Sequence, residues 1–409
     1  MRALVDLRPL RESPPFRRLW LGTTASGFGG QMSMFAVLYY VWESTRDAAT
    51  VGLVGLAGGV PVIVLALAGT AFLDHVDRKR LALACSGVQI VVTSAMAAVA
   101  FTGHGGVPAM LALVAVNAAC GALGAPARRT FLPALLTGDR LAAGLALQHL
   151  SFQLAMLTGP ALAGLLTAAA GVAWCFVVDA VTFVAALAGL RGLPGGVAPG
   201  GGRPGPAAVL AGIRYAVSTP EVRGALLADL AATLLSMPVA LFPVLNAERF
   251  DGRPDVLGLF TSALAVGGVV ASAFSGLASR AGRAGIVMLA GGAIWAVTLG
   301  AAGLVPALPA VLALIAVAGA ADTWSVVARG TVVQTVTPES FRGRVAALEH
   351  VVGVAGPDLG NVRAGLVASA TSAGASLAIG GAAALVATGL IALGTPALRR
   401  FRTLAAAER

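Results

Sequence analysis

The residues with chemistry to offer in this chain are ionisable groups set inside long apolar runs. Asp322 and Asp358 fall nearest the middle of two such runs, and an ionisable group at that depth is costly unless a function or a partner holds it there. Both are candidate substrate or proton sites. Arg329 stands two helical turns after Asp322 on one face, so an ion pair between them competes with a proton site. Asp358 follows Pro357 in GVAGPDLG, where the proline loosens the helix and small residues admit a neighbour or a substrate. Glu349 and His350 lie about a turn inside the end of the same run. They can pass a proton, with snorkelling toward the interface as the competing reading. Arg363 can neutralise Asp358, draw an anionic cargo, or snorkel outward. Asp229 enters another run and is a further coupling candidate, whereas Asp179 reads as a structural hydrogen-bonding group.

Gln31, Asn117 and Gln153 sit near the middle of three more runs. Each alone reads as an interhelical hydrogen-bonding group. As a set, opposite Asp322 and Asp358, they outline a central polar path. Its other walls would be apolar, with Trp324, Phe35 and Phe242 as stacking surfaces, which suits a bulky, amphipathic or aromatic molecule better than a sugar.

No enzyme signature accompanies these groups. The chain has no Gly-Lys-Ser/Thr phosphate loop, and its four histidines have no metal-ligand spacing. Cys85, Cys120 and Cys175 are odd in number, lack CxxC spacing and fall inside apolar runs, so they read as small buried hydrophobes. No metal and no cofactor are expected.

The elements that must position these residues are membrane helices. With 57% hydrophobic and 11% charged residues, the chain has less than half the roughly 25% charge of a soluble domain. The net charge of +10 is spread in short clusters between apolar runs, which fits cytoplasmic loops and no nucleic-acid partner. Spanning takes about 20 apolar residues, and twelve runs qualify: 19–42, 49–73, 81–102, 107–127, 141–167, 171–192, 223–246, 255–278, 284–304, 307–329, 344–369 and 373–395. Arg and Lys concentrate before the first run, after every second run and in the tail. Both termini are therefore expected on the cytoplasmic side of the cell (inner or plasma) membrane. In the untidy loop from Glu248 to Asp255 the acids are expected to cancel Arg249 and Arg253.

LPGGVAPGGGRPGPA, from Leu193, cannot hold a regular helix and separates two halves. The expected organisation is a six-helix half at 1–192, a linker and interfacial segment at 193–222, a second six-helix half at 223–398 and a basic cytoplasmic tail at 399–409. Two echoes support a duplication. GTAFLDHVDRKRL at Gly69 is matched by SGLASRAGRAGI at Ser275, and ARRTFLPALLTGDRLAAGLAL at Ala127 by ARGTVVQTVTPESFRGRVAAL at Ala328. Pseudo-symmetric halves around one pathway are the architecture of a carrier.

At GTAFLDHVDRKRL the chain resembles the major facilitator superfamily, whose signature loop places a glycine before Asp-Arg and Gly-Arg-Arg/Lys. Gly69, Asp74, Arg78 and Lys79 match it, whereas His75 and Asp77 replace the usual Arg and second Gly. In the second copy Arg280, Gly282 and Arg283 match. LDHVDRKRL, GVAWCF at Gly171 and VVQTVTPESFRGRV at Val332 are similar to the enterobactin-exporter branch, over nearly the whole chain. The resemblance implies an all-α membrane protein of twelve helices in two pseudo-symmetric halves. It implies export of a siderophore, drug or secondary metabolite, with proton antiport as the energy source and uniport or import as the alternative. Gly159, Pro160 and Gly164 resemble part of the antiporter Gly-Pro motif of the fifth helix. Asp74 is expected to latch against the amino end of the eleventh helix near Arg342 and Arg344, with His75 making that latch pH-sensitive. The expected partners are a small molecule, protons and the lipid bilayer, around a monomer.

Overall fold

A computed structural model describes residues 6–67, 76–193, 206–274 and 282–402, and these are helical with short connections. Twelve long helices run in alternating directions. In the first half they are α1 (Pro14–Thr45), α2 (Ala48–Leu67), α3 (Arg78–Thr102), α4 (Gly106–Arg129), α5 (Asp139–Ala170) and α6 (Ala173–Leu190). In the second they are α7 (Pro220–Ser236, continued to Arg249), α8 (Pro254–Ala273), α9 (Ala284–Ala302), α10 (Leu308–Val336), α11 (Glu339–Ala370) and α12 (Ala373–Gly394). Ten of these are long and apolar enough to cross a membrane. The other two, α1 and α11, have 32 residues each and carry more charged and polar residues. Gly69, Asp74, His75 and Arg280 lie outside the described residues.

Local chemistry sets the helix ends. Asp77, standing at the signature's second-glycine position, caps α3 by accepting from the amides of Lys79 and Arg80 at 2.8 and 3.0 Å. Arg78 and Lys79 thus occupy the first turn of α3. Asp47 caps α2, accepting from the Thr50 hydroxyl at 2.5 Å and from the amides of Thr50 and Ala49 at 2.9 and 3.2 Å. These bonds, the hydroxyl's above all, hold the Asp47 carboxyl below its ordinary range. Gly282 turns with φ 65° into α9, whose first turn follows exposed Arg283.

The loop Glu248–Asp255 does more than balance its own charge. Glu248 accepts from the Ala373 amide at 3.0 and 3.2 Å and so caps α12. Arg249 reaches across to the carbonyls at the end of α9, bonding Val305 at 2.9 Å and also Gly303. Helix dipoles favour both placements.

The linker half is folded where it is described. A 13-residue helix, Pro206–Ser218, lies against the start of α11, where Tyr215 stacks on Phe341 at 4.8 Å and donates to the Val336 carbonyl at 3.1 Å. Arg344 lies over the Phe341 ring at 5.1 Å.

The halves meet mainly through two helix pairs, α2 with α11 and α5 with α8. Glycines make these contacts possible. Gly52, Gly55 and Gly59 form one face of α2, and a Cβ at Gly52 would meet the Asn361 carbonyl at 2.8 Å. A Cβ at Gly258 would meet the Ala161 Cα at 3.1 Å, and one at Gly164 the Asp255 Cα at 3.2 Å. All these contacts lie on the side of the bundle away from the chain termini. There, one hydrophobic core joins both halves, running from Phe35 and Val41 to Phe242, Phe260 and Leu299. On the terminal side the cores are separate: Phe16, Leu132 and Leu147 in the first half, and Val222, Met288, Val332 and Val345 in the second. The bundle is closed on the far side and parted on the terminal side.

Candidate functional site

Between the halves lies a cavity of about 900 Å³, walled by α1, α5, α7, α8 and α10. Each wall is placed by a sequence feature. Gln31 on α1 and Gln153 on α5 both face the cavity, and α5 is drawn close because Gly159 has no side chain: a Cβ there would meet the Gln31 Cβ at 2.6 Å. Pro160 lines the wall one residue on and packs beside Gly258 of α8. The remaining polar lining is Thr261, Ser272, Thr323 and, toward the terminal side, exposed His149.

α7 supplies the wall that the apolar pattern concealed. SMPVALFPV breaks the helix after Ser236, because Pro238 and Pro243 have no amide to donate, and a short 3₁₀ turn spans Val239–Leu241. The break is held rather than loose. The Asn361 amide oxygen accepts from the Ala240 amide at 3.0 Å, and the Trp295 indole donates to the Ser236 hydroxyl at 2.9 Å. Val239 and Phe242 thereby face the cavity. Phe242 also packs at 5.5 Å on Phe260, which closes the far end.

Asp322 is the one carboxylate among the described lining residues, and no Arg or Lys accompanies it. It is exposed to the cavity and makes no ion pair or hydrogen bond with any described residue. The spacing to Arg329 does not become a contact. Arg329 instead pairs with Asp229 of α7 and stands 3.9 Å from the Glu349 carboxylate of α11. That cluster ties three helices of the second half together beside the parted face, with 13–15% side-chain exposure at the Asp229–Arg329 pair. His350 is exposed and turned away from Glu349, as adjacent helix residues must be. Glu349 and Arg342 line a second cleft, of about 600 Å³, between α10 and α11.

Three expected wall residues lie elsewhere. Asn117 accepts from the Gln89 amide at 3.3 Å, and Gln89 accepts from Arg128 at 2.9 Å. This polar chain inside the first half takes Asn117 off the cavity wall and places Arg128 within the bundle instead of in a loop. Trp324 donates to the Ala271 carbonyl at 3.1 Å and ties α10 to α8. Asp358 is half-buried against α2 at Gly55 and Gly59. Arg363 does not neutralise it, because its guanidinium lies against Gly380 of α12. Asp179 accepts from the Ser33 hydroxyl at 2.6 Å and from that of Thr182 at 3.4 Å, as a structural group does.

The family described as transmembrane secretion effector matches residues 5–408. The chain is 28% identical to the enterobactin exporter EntS of Shigella boydii serotype 18 over 404 residues, covering 98% of this chain and 96% of the relative. EntS of Escherichia coli O139:H28 matches at the same identity and coverage. Among solved structures, a bacterial homologue of the iron transporter ferroportin in the inward-facing state superposes with TM-score 0.73 at 17% identity, covering 93% of this chain and 98% of that one. A bacterial ferroportin homologue in the outward-facing state gives 0.58 at 16% identity over the same shares. The nucleoside transporter NupG gives 0.72 at 14% identity, covering 95% of this chain and all of that one. With twelve helices in two halves around one central cavity, the chain belongs to the transmembrane secretion effector family of the major facilitator superfamily and is a multi-pass efflux transporter, not an enzyme.

Proposed function

We propose that the protein exports a bulky, amphipathic, neutral or cationic molecule of the siderophore or drug type, by alternating access driven by inward proton flow. The observation that carries this reading is the cavity: large, mostly apolar, and bearing Asp322 with no Arg or Lys among its described lining residues. About 900 Å³ is near the top of the range of roughly 300–1,000 Å³ for small-molecule sites. Apolar contact supplies affinity for many shapes, while Asp322, Gln31 and Gln153 orient a donor group on the cargo. The names of the curated relatives support a siderophore-like cargo, and the lone carboxylate favours its uncharged or cationic form.

The terminal side is read as cytoplasmic. Arg17, Arg18, Arg78, Lys79, Arg80, Arg140, Arg283 and Arg342 gather there. On the far side Arg46 and Arg253 are neutralised by Glu43 and Asp255 at 2.7 and 2.6 Å. A cavity open on the terminal side then loads cargo from the cell, and the higher similarity to an inward-facing structure supports the same state.

A charge-assisted hydrogen bond contributes about 1.5–3 kcal/mol, so Asp322→Asn weakens binding of a cationic aromatic cargo by about 10- to 150-fold. Binding of ethidium and of a neutral aromatic probe to the purified protein tests it. Equal losses for both probes, or no loss for ethidium, contradict the reading.

A further inference from the structure

Asp358 is the one acid among the described residues that lies within the glycine-lined contact between α2 and α11 on the closed side. Its backbone lies on α2, where a Cβ at Gly55 would come within 2.9 Å of the Asp358 carbonyl oxygen. Its carboxyl lies on Gly59, where an added Cβ would overlap a carboxylate oxygen and meet the Asp358 Cγ at 2.7 Å. No described residue donates to it or pairs with it.

The surroundings offer no counter-charge. Between Ala48 and Leu67, α2 has no ionisable residue, and neither have α12 or the Val239–Leu241 turn. On α7 the charged groups are Glu221, Arg223, Asp229, Glu248 and Arg249; Asp229 is engaged by Arg329, Glu248 by the Ala373 amide and Arg249 by the Val305 carbonyl. The Pro206–Ser218 helix carries Arg214 and Tyr215, which lie beyond the start of α11 at the terminal side. On α11 itself, Glu339, Arg342, Arg344, Glu349 and His350 all stand at least two turns toward the terminal side, and Arg363 is turned to α12.

Resting on the proton-coupled reading above, we propose that Asp358 is a proton-dependent latch of the far-side gate between α2 and α11. An ionised carboxylate pressed onto a glycine face without donors is costly, so the closed gate accepts the group as the neutral acid. When α2 and α11 part, the same group meets water and can ionise. Proton uptake from outside then permits closure and return to the inward-open state. The latch exchanges its proton with the outer side, and no covalent step is involved.

The test is the gate distance as a function of pH. Nitroxides are placed by Arg46→Cys and Thr371→Cys in the full chain with its three native cysteines replaced, and the distance between them is read by double electron–electron resonance. In the wild-type background the short, closed-gate population is expected to fall with rising pH, by up to about tenfold per pH unit for a single proton. Asp358→Asn, close to isosteric and never charged, is expected to show the short distance at every pH. Asp358→Glu retains the response and controls for packing. A wild-type distance insensitive to pH, or an Asp358→Asn protein that follows the wild-type curve, overturns the proposal. Wild-type proteoliposomes that move cargo without regard to a pH gradient defeat the proton-coupled reading itself. If the gradient does drive them and Asp358→Asn still opens with pH, only the role of Asp358 falls.

Discussion

The cluster of Asp229, Arg329 and Glu349 makes a demanding prediction because it has two acids and one base. Arg329→Met removes the base while keeping the bulk of the side chain. Asp229 is then a nearly buried carboxylate with 13% side-chain exposure, and Glu349, at 22%, is a second negative charge without a partner. Removing one member of a buried ion pair costs about 3–5 kcal/mol. At about 2.1 cal/mol/K of unfolding entropy per residue, a chain of 409 residues has about 0.86 kcal/mol/K. The expected fall in the unfolding midpoint is therefore about 4–6 °C. Tryptophan fluorescence during heating of the detergent-purified protein, at fixed scan rate, measures it. The triple variant Asp229→Asn, Arg329→Met, Glu349→Gln has no charge left to strand and should regain most of the loss. If Arg329→Met unfolds within about 1 °C of wild type, or the triple variant is less stable than the single one, the cluster is not the strut described.

Two further perturbations reach other parts of the structure. Gly258→Val places a branched side chain where even a Cβ would be 3.1 Å from the Ala161 Cα; overpacking of about 1–3 kcal/mol should open the far side of the α5–α8 pair, and disulfide trapping between the far ends of these helices should drop about 5- to 150-fold, an unchanged yield being the contrary result. Asp47→Ala should cost about 1 kcal/mol as a lost helix cap. Because its folded-state pKa is depressed, the stabilisation from Asp47 is full above the ordinary carboxylate value and disappears as pH falls through the folded value. The wild-type and Asp47→Ala midpoints should therefore converge only in strong acid, and a constant gap from neutral pH to pH 2 speaks against the cap.

The twelve crossings, their order and their charge asymmetry were legible in the chain, because a bilayer demands about 20 apolar residues per crossing and basic loops mark one side. Gln31, Gln153 and Asp322 were legible for a related reason: a polar group at membrane depth has few places to go. Which face each helix turns inward was not. Helices such as α9 and α12 are apolar all round, so period alone cannot separate a lipid face from a packed one. Asn117 looked like Gln31 in sequence, yet Gln89 of α3, itself held by Arg128 of Asn117's own helix, claims it. Arg329 illustrates the same limit. Spacing along one helix offers Asp322, whereas packing between helices brings Asp229. The break in α7 did leave a signal, two prolines five residues apart in SMPVALFPV, that a hydropathy reading averages away.

The central claim is export through the cavity, with protons moving the other way. Its most direct measurement is cargo movement in proteoliposomes holding the full chain, loaded with an aromatic siderophore or a cationic dye at equal concentration on both sides and given a pH step across the membrane. The account predicts net accumulation on the acidic side, abolished by a protonophore and, for the cationic dye, strongly reduced in Asp322→Asn. Equilibration that ignores the pH step, or accumulation that survives the protonophore, would contradict it.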